Sequence, residues 1–284
     1  MSRMGIYNHM SDEEFLSRKY ELVFGRKLDL ENPQTFNEKL QWLKIHDRNP
    51  QYTTLVDKYA VKRYVAEVIG AQYVIPTLGV WNHFDEIDFD ALPEQFVLKC
   101  THDSGGLVIC KNKGEMDKAA AKKKLEKSLK RNYYLSGREW PYKDVPPRII
   151  AEKYMSDGIH EDLMDYKLMC FNSKVKATFV CGDRFSNDGL KVTFYDTNWK
   201  RMPFERHYPA SKTEIKKPKS YEEMVKLAER VSQDIPFVRV DFYEIAGKPY
   251  FGEMTFSPGS GFEKFNPEEW DETLGNWLKI PRGV

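Results

Sequence analysis

No run in the 284-residue sequence approaches the roughly 18 uninterrupted apolar residues of a membrane-spanning helix, and its start carries no apolar stretch of the secretory kind. A soluble, cytoplasmic chain is expected. Charge of one sign is also lacking. With 44 basic against 43 acidic residues the formal charge is +1, which offers no general attraction to nucleic acid or to an anionic membrane. Cysteine is scarce: Cys100, Cys110, Cys170 and Cys181 form no CxxC pair and stand in apolar, strand-like contexts, so buried reduced thiols are expected rather than disulfides or zinc ligands. There is no internal repeat, no low-complexity tract, no G-x-S-x-G elbow and no convincing Cys–His arrangement.

What remains is the composition of a folded protein, 41% hydrophobic and 14% aromatic, long enough for one large or two modest domains. Two helix starts are written as capping boxes, Ser11 with Glu14 and Thr35 with Glu38. "LVDKYAVKRYVAEVIG" reads as one helix ended by Gly70, followed by a short apolar strand. "FVLKC" and "LVICKN" read as a hairpin around "THDSGG". The basic stretch Lys111 to Arg131 reads as a solvated amphipathic helix, since Leu125 and Leu129 keep an apolar stripe. "PRIIAEKYM", "DYKLMCF", "KVKATFV" and "KVTFYDTNW" are strand candidates, and "SYEEMVKLAERVSQ" is a helix. The order of elements predicts an α+β protein with at least two lobes. The expected divisions are 1–56 (helical), 57–93 (an αβ segment), 94–152 (a small lobe) and 153–284 (a large lobe).

The most informative stretch is "FVRVDFYEIAGKPYFGEMTFSPGSG", Phe237 to Gly261. A turn centred on Gly247 would oppose Asp241 to Glu253 and Arg239 to Thr255, with Val240, Phe242, Met254 and Phe256 on the other face. Two opposed carboxylates repel unless a cation lies between them. Arg239 supplies part of that charge. The oxygens also suit Mg²⁺, although a surface ion-pair cluster or a slipped register would produce the same pattern. A second positive site is Lys99, which ends a strand just before Ser104, Gly105 and Gly106. Small residues there let backbone N–H groups approach phosphate oxygens, while a plain Gly-Gly hairpin turn is the other reading. It is no P-loop, because the lysine precedes the glycines. His102 and Asp103 are read as hydrogen-bonding residues of a polar surface loop rather than as a general base.

In order, "DKYAVK", "FVLK" with "SGG", "IIAEKYM", "TFYDTNW" and "VRVDFY…YFGEMTFSPGSG" resemble the ATP-grasp superfamily, including the D-alanine–D-alanine ligases. "FNEKLQWLKIHDR", "DYKLMCFNSK" and the final hairpin are similar to its TupA-like branch, named for teichuronopeptide biosynthesis. That resemblance implies an ATP-grasp fold whose two α+β lobes hold ATP between them. It also implies an enzyme using ATP and Mg²⁺ to join a carboxylate to an amine through an acyl phosphate. From the branch, the acceptor would be a small or lipid-linked saccharide carboxylate of surface or capsular polysaccharide synthesis.

Carried onto this sequence, the resemblance gives Lys62 and Lys99 to the nucleotide phosphates and Ser104, Gly105 and Gly106 to their cover. Glu152, Lys153, Tyr154 and Met155 would frame the adenine, Asp165 the ribose hydroxyls, and Lys167 a phosphate. Asp241, Glu253 and Thr255 would bind Mg²⁺, with Thr255 in place of the usual Asn, and Arg239 would stabilise charge during transfer. Arg184, Trp199, Lys200 and Arg206 are candidates for an acidic sugar, since Arg matches carboxylates bidentately and Trp stacks on a sugar face. One alternative is a glycosyltransferase, resting on the DxD-like Asp88 to Asp90. The other is a nucleotide- or carbohydrate-binding module without catalysis.

Overall fold

The computed structural model describes residues 7–156, 163–182 and 189–281. The chain opens with helix α1 (Asp12–Phe24), whose Ser11 hydroxyl accepts the N–H of Glu14 at 3.2 Å, and α2 (Phe36–His46), where Thr35 and Glu38 complete both halves of a capping box. The single helix expected next is two, α3 (Gln51–Val56) and α4 (Val61–Val68). Asp57 makes the break. Its Oδ1 accepts the N–H groups of Tyr59 and Ala60 at 2.9 and 3.2 Å, and its Oδ2 is held by Arg148 at 2.6 Å, so the side chain caps a new start inside an apolar period.

Then follow β1 (Thr77–Trp81), β2 (Phe96–Cys100), β3 (Leu107–Cys110), α5 (Lys118–Leu129), α6 (Tyr134–Gly137) and β4 (Ile149–Lys153). These four strands form an antiparallel sheet in the order β1-β4-β2-β3. Alternation along β2 buries Phe96, Leu98 and Cys100 against α5 and turns Val97 and Lys99 to the opposite face. The basic helix begins at Lys118 rather than Lys111, because the Asp117 side chain caps it by accepting the N–H of Ala120.

The rest of the chain builds β5 (Asp165–Phe171), β6 (Lys174–Gly182), β7 (Lys191–Tyr195), β8 (Glu205–Arg206), α7 (Tyr221–Val231), β9 (Phe237–Ile245), β10 (Lys248–Thr255), β11 (Phe265–Asn266) and α8 (Glu269–Trp277). A second antiparallel sheet runs β10-β9-β5-β6-β7, and β8 pairs with β11. One face of this larger sheet, with Leu168, Val238, Val240 and Phe242, packs on α3, α4 and α7. The other face is divided. Met169, Phe171, Phe179 and Phe237 are covered by α2 and α8, while its far end is polar and faces the smaller sheet. Among the described residues Cys100, Cys110 and Cys170 are buried free thiols and Cys181 is half-buried. No helix among them is long and apolar enough to cross a membrane.

Candidate active site

The hairpin β9–β10 turns on Ala246 and Gly247, at φ 53° and 76°, the two left-handed positions of a tight two-residue turn. This corrects the turn centred on Gly247. From such a turn the pairing runs Lys248 with Ile245, Tyr250 with Tyr243 and Phe251 with Phe242. A bulge between Phe251 and Met254 then shifts the register by one, so that Met254 pairs with Val240 and Thr255 with Arg239. Asp241 and Glu253 are therefore not a directly opposed pair: Gly252 and Glu253 share the bulge beside Asp241. Gly252 fits because a Cβ there would stand 3.2 Å from the Asp241 carbonyl oxygen.

Arg239 binds both carboxylates. Its Nε and Nη2 donate to the two oxygens of Asp241 at 2.7 Å each, and Nη2 also donates to Glu253 Oε1 at 2.9 Å. Lys167 on β5 reaches Asp241 and Asp165, each at 2.5 Å. Burial opposes charge on both cations, but the carboxylates outweigh it and raise the affinity of Arg239 and Lys167 for their protons. Burial likewise pushes the Glu253 carboxyl up, yet Lys58, Arg239, Lys167 and Lys99 hold it down at about 2. Its side chain is 41% exposed, and it accepts the Thr255 hydroxyl at 3.4 Å.

On the facing sheet Glu152 is the centre. It pairs with Lys99 at 2.6 Å and closely with Lys62, whose Nζ also donates to the carbonyl of Ile75 at 2.7 Å. Burial would raise the Glu152 carboxyl, but Lys99 and Lys62 lower it below the usual value; burial lowers Lys62. Glu152 thus acts through its side chain and not only through its backbone. Between the sheets lies a cleft of about 340 Å³ lined by Ile75, Val97, Leu107, Tyr154, Met155 and Met164, with Lys99, Lys153, Glu152 and Asp165 at its polar margins. Leu107 and Ile109, 38% and 47% exposed, project from the β2–β3 hairpin at its edge.

In the connecting loop Ser104 and Gly105 are exposed and Gly106 is buried, with no room for a Cβ between Ser128 and Cys100. His102 and Asp103 are buried rather than on the surface. The His102 ring lies 3.2 and 3.1 Å from the carbonyls of Ser128 and Arg131, and Asp103 accepts the Ser128 hydroxyl, so both pin the loop to the end of α5.

The acceptor candidates separate. Arg184 lies outside the described residues. Trp199 stacks on Tyr195 at 4.4 Å and donates to the Ile215 carbonyl at 2.9 Å, on the sheet face opposite Arg239; Lys200 follows it, exposed. Arg206 does approach the site. Its guanidinium lies 4.7 Å from the Phe179 ring, against which Arg239 packs from 5.7 Å, and it pairs with Glu263 at 2.8 Å. Asp88 accepts the N–H groups of Asp90 and Ala91, closing an exposed Asx turn. Asp88→Ala is expected to leave nucleotide binding and turnover within about twofold, and a lost activity would restore the glycosyltransferase reading.

Several buried or loop-anchoring charges carry little or no mark in the sequence. Lys58 donates to the Asp103 carbonyl at 2.5 Å, anchoring the loop, and helps hold the Glu253 carboxyl down; the "DK" of "DKYAVK" is its signal. Lys44 and Glu139 are both buried, and nothing in their local sequence marks them.

The model of the TupA-like ATP-grasp family matches residues 38–279. No curated protein matches the chain in sequence. Similar solved structures include D-alanine–D-alanine ligase from Bacillus anthracis complexed with ATP, at 15% identity over 72% of this chain and 54% of that one, TM-score 0.40. The Helicobacter pylori D-alanine–D-alanine ligase aligns at 13% identity over 88% and 68%, TM-score 0.48. An ADP complex of purK, N5-carboxyaminoimidazole ribonucleotide synthetase, aligns at 16% over 77% and 50%, TM-score 0.44. The chain spans 54% of the first of these and 50% of the last. With the family model matched over most of its length, the chain belongs to the TupA-like ATP-grasp family and has the ATP-grasp fold.

Proposed function

We propose that the protein is an ATP- and Mg²⁺-dependent carboxylate–amine ligase that joins an amino acid or other amine to a sugar carboxylate in cell-surface or capsular polysaccharide synthesis. One observation carries this reading. Two facing sheets present a lysine pair around Glu152 and a carboxylate pair around Arg239, with an apolar slot between them. Lys62 and Lys99 would bind phosphate oxygens, exchanging Glu152 for the nucleotide. The slot suits a flat base, with Tyr154 and Met155 along its wall, Asp165 near the ribose and Ser104 to Gly106 over the phosphates.

The donor set fits a hard divalent cation. Asp241, Glu253 and Thr255 offer only oxygens, and among the described residues no group of three acidic, His or Cys ligands forms a closed cage. That is the sparse protein shell Mg²⁺ uses when nucleotide phosphates complete it. Bound there, it would neutralise phosphate charge. Arg239 and Lys167 hold the carboxylates in place and supply positive charge where it develops during phosphoryl transfer to the acceptor carboxylate. Arg206, whose buried Nη1 makes no hydrogen bond among the described residues, suits an acidic acceptor.

Calorimetric titration with a non-hydrolysable ATP analogue tests the reading. Mg²⁺-dependent binding is expected, with no binding of a UDP-sugar; the reverse would overturn it. Lys99→Ala is expected to weaken nucleotide binding by about tenfold or more, as for a lost charged hydrogen bond. Unchanged affinity would remove Lys99 from the phosphate site.

A further inference from the structure

A buried guanidinium is ordinarily met by hydrogen bonds, because each N–H taken from water without a partner keeps a desolvation cost. Arg239 follows that rule, with aligned bonds to Asp241 and Glu253. Arg206 does not. It is buried, its Nε stands 2.8 Å from Glu263 Oε2 without either atom completing a hydrogen bond, and its Nη1 has no hydrogen-bond partner among the described residues. The Arg206–Glu263 pair is therefore in contact but poorly matched.

Direct contacts place this pair beside the site. Asp241, Lys167 and Phe179 form one cross-strand row over β9, β5 and β6, so their side chains share a face of the larger sheet. The Arg206 guanidinium lies 4.7 Å from the Phe179 ring and 5.3 Å from Phe194, and Arg239 lies 5.7 Å from the same Phe179 ring. Arg206 thus shares an aromatic ring with the residue that holds Asp241 and Glu253. Glu263 approaches from the other side. Its carboxyl covers Gly259, where a Cβ would collide with it, in the Pro258–Gly261 turn that follows β10. The Glu263 side chain is 22% exposed against 7% for Arg206, so the carboxylate is the half of the pair that solvent and ligand can reach.

We propose that Arg206 is the seat of the acceptor's carboxylate and that Glu263 fills this seat in the free protein, so that the acceptor binds by exchanging one carboxylate for another. This rests on the ligase reading and adds to it a side chain that competes with the substrate. The present occupant argues for the class of ligand. A seat already facing a planar carboxylate suits a uronate, whose carboxylate can pair bidentately with a guanidinium where Glu263 makes a single misaligned contact. Glu263 also sets specificity. It gives way to a ligand that brings its own negative charge, whereas a neutral sugar in its place would leave Arg206 buried and unpaired. Its departure uncovers Gly259, which links arrival of the acceptor to the turn behind Glu253 and Thr255.

The test titrates the full chain with D-glucuronate by calorimetry, with and without Mg²⁺ and a non-hydrolysable ATP analogue, beside D-glucose and glucose 1-phosphate. D-glucuronate is expected to bind to saturation, glucose 1-phosphate about tenfold or more weakly, and D-glucose not at all. Glu263→Gln is expected to tighten D-glucuronate binding about tenfold or more, the reverse of what loss of a binding residue does, because the seat is no longer occupied. Glu263→Asp, still charged but one methylene shorter, is expected to move affinity the same way and serves if an unpaired Arg206 prevents Glu263→Gln from folding. Arg206→Lys keeps the charge without the fork and is expected to weaken binding about tenfold or more. Weaker or unchanged affinity in the Glu263 variants, full affinity in Arg206→Lys, tighter binding of glucose 1-phosphate than of D-glucuronate, or no D-glucuronate binding in either condition overturns the proposal. Exchange of D-glucuronate without nucleotide binding would remove the ligase reading alone, and nucleotide binding without D-glucuronate binding would remove this proposal alone.

Discussion

Glu253→Gln is expected to remove Mg²⁺-dependent ADP formation, by about 10²–10³ or more, while the protein still folds. The side chain is partly exposed, and a Gln carbonyl can still accept the Arg239 hydrogen bond that Glu253 accepts at 2.9 Å. What the amide cannot supply is a negatively charged ligand for a hard cation. Turnover and thermal melting measured on the same preparation check this. A variant that turns over at the wild-type rate would sink the metal assignment, and one that fails to fold would show that Glu253 is a packing residue.

Arg239→Leu is expected to do more damage, because it acts on stability and chemistry together. Asp241 is 1% exposed and, among the described residues, would keep only Lys167 as a charged partner. Breaking one side of a buried pair costs about 3–5 kcal/mol, mostly for the charge left behind. Denaturant unfolding should therefore show a loss of that order, with ADP formation abolished. Combining it with Asp241→Asn is expected to restore part of the stability, since the orphaned anion goes too. A double variant that is less stable than Arg239→Leu alone would contradict the charge argument.

Local signals were legible. The Thr35 box, the strands around Lys99 and the helix from Tyr221 all depend on residues within a few positions of one another. The break at Asp57 was not, because half of its cause is Arg148, brought in from the far end of the smaller sheet. The face carrying Arg239, Asp241, Glu253 and Thr255 was read correctly although the turn was misplaced, since the bulge compensates for it. Trp199 shows the opposite limit. A Trp beside basic residues suits a sugar site by composition, and only the parallel stack on Tyr195 shows its ring engaged on the other side of the sheet. Glu139 and Lys44 were beyond reach, because their burial is created by three segments meeting.

The bulge at Gly252 and Glu253 works as a parity converter. Continued without interruption from the Ala246–Gly247 turn, the pairing would set Glu253 against Val240, carboxylate into the oil and Met254 into the cleft. The extra residue inverts inside and outside for the last part of the strand. Tight turn and chemistry thus demand opposite phases, and one residue reconciles them. The phase of this hairpin is consequently set by whether both residues of the bulge stand beside Asp241: substitutions that keep them there would spare the arrangement, whereas drawing both into a regular ladder would exchange the polar face for the core.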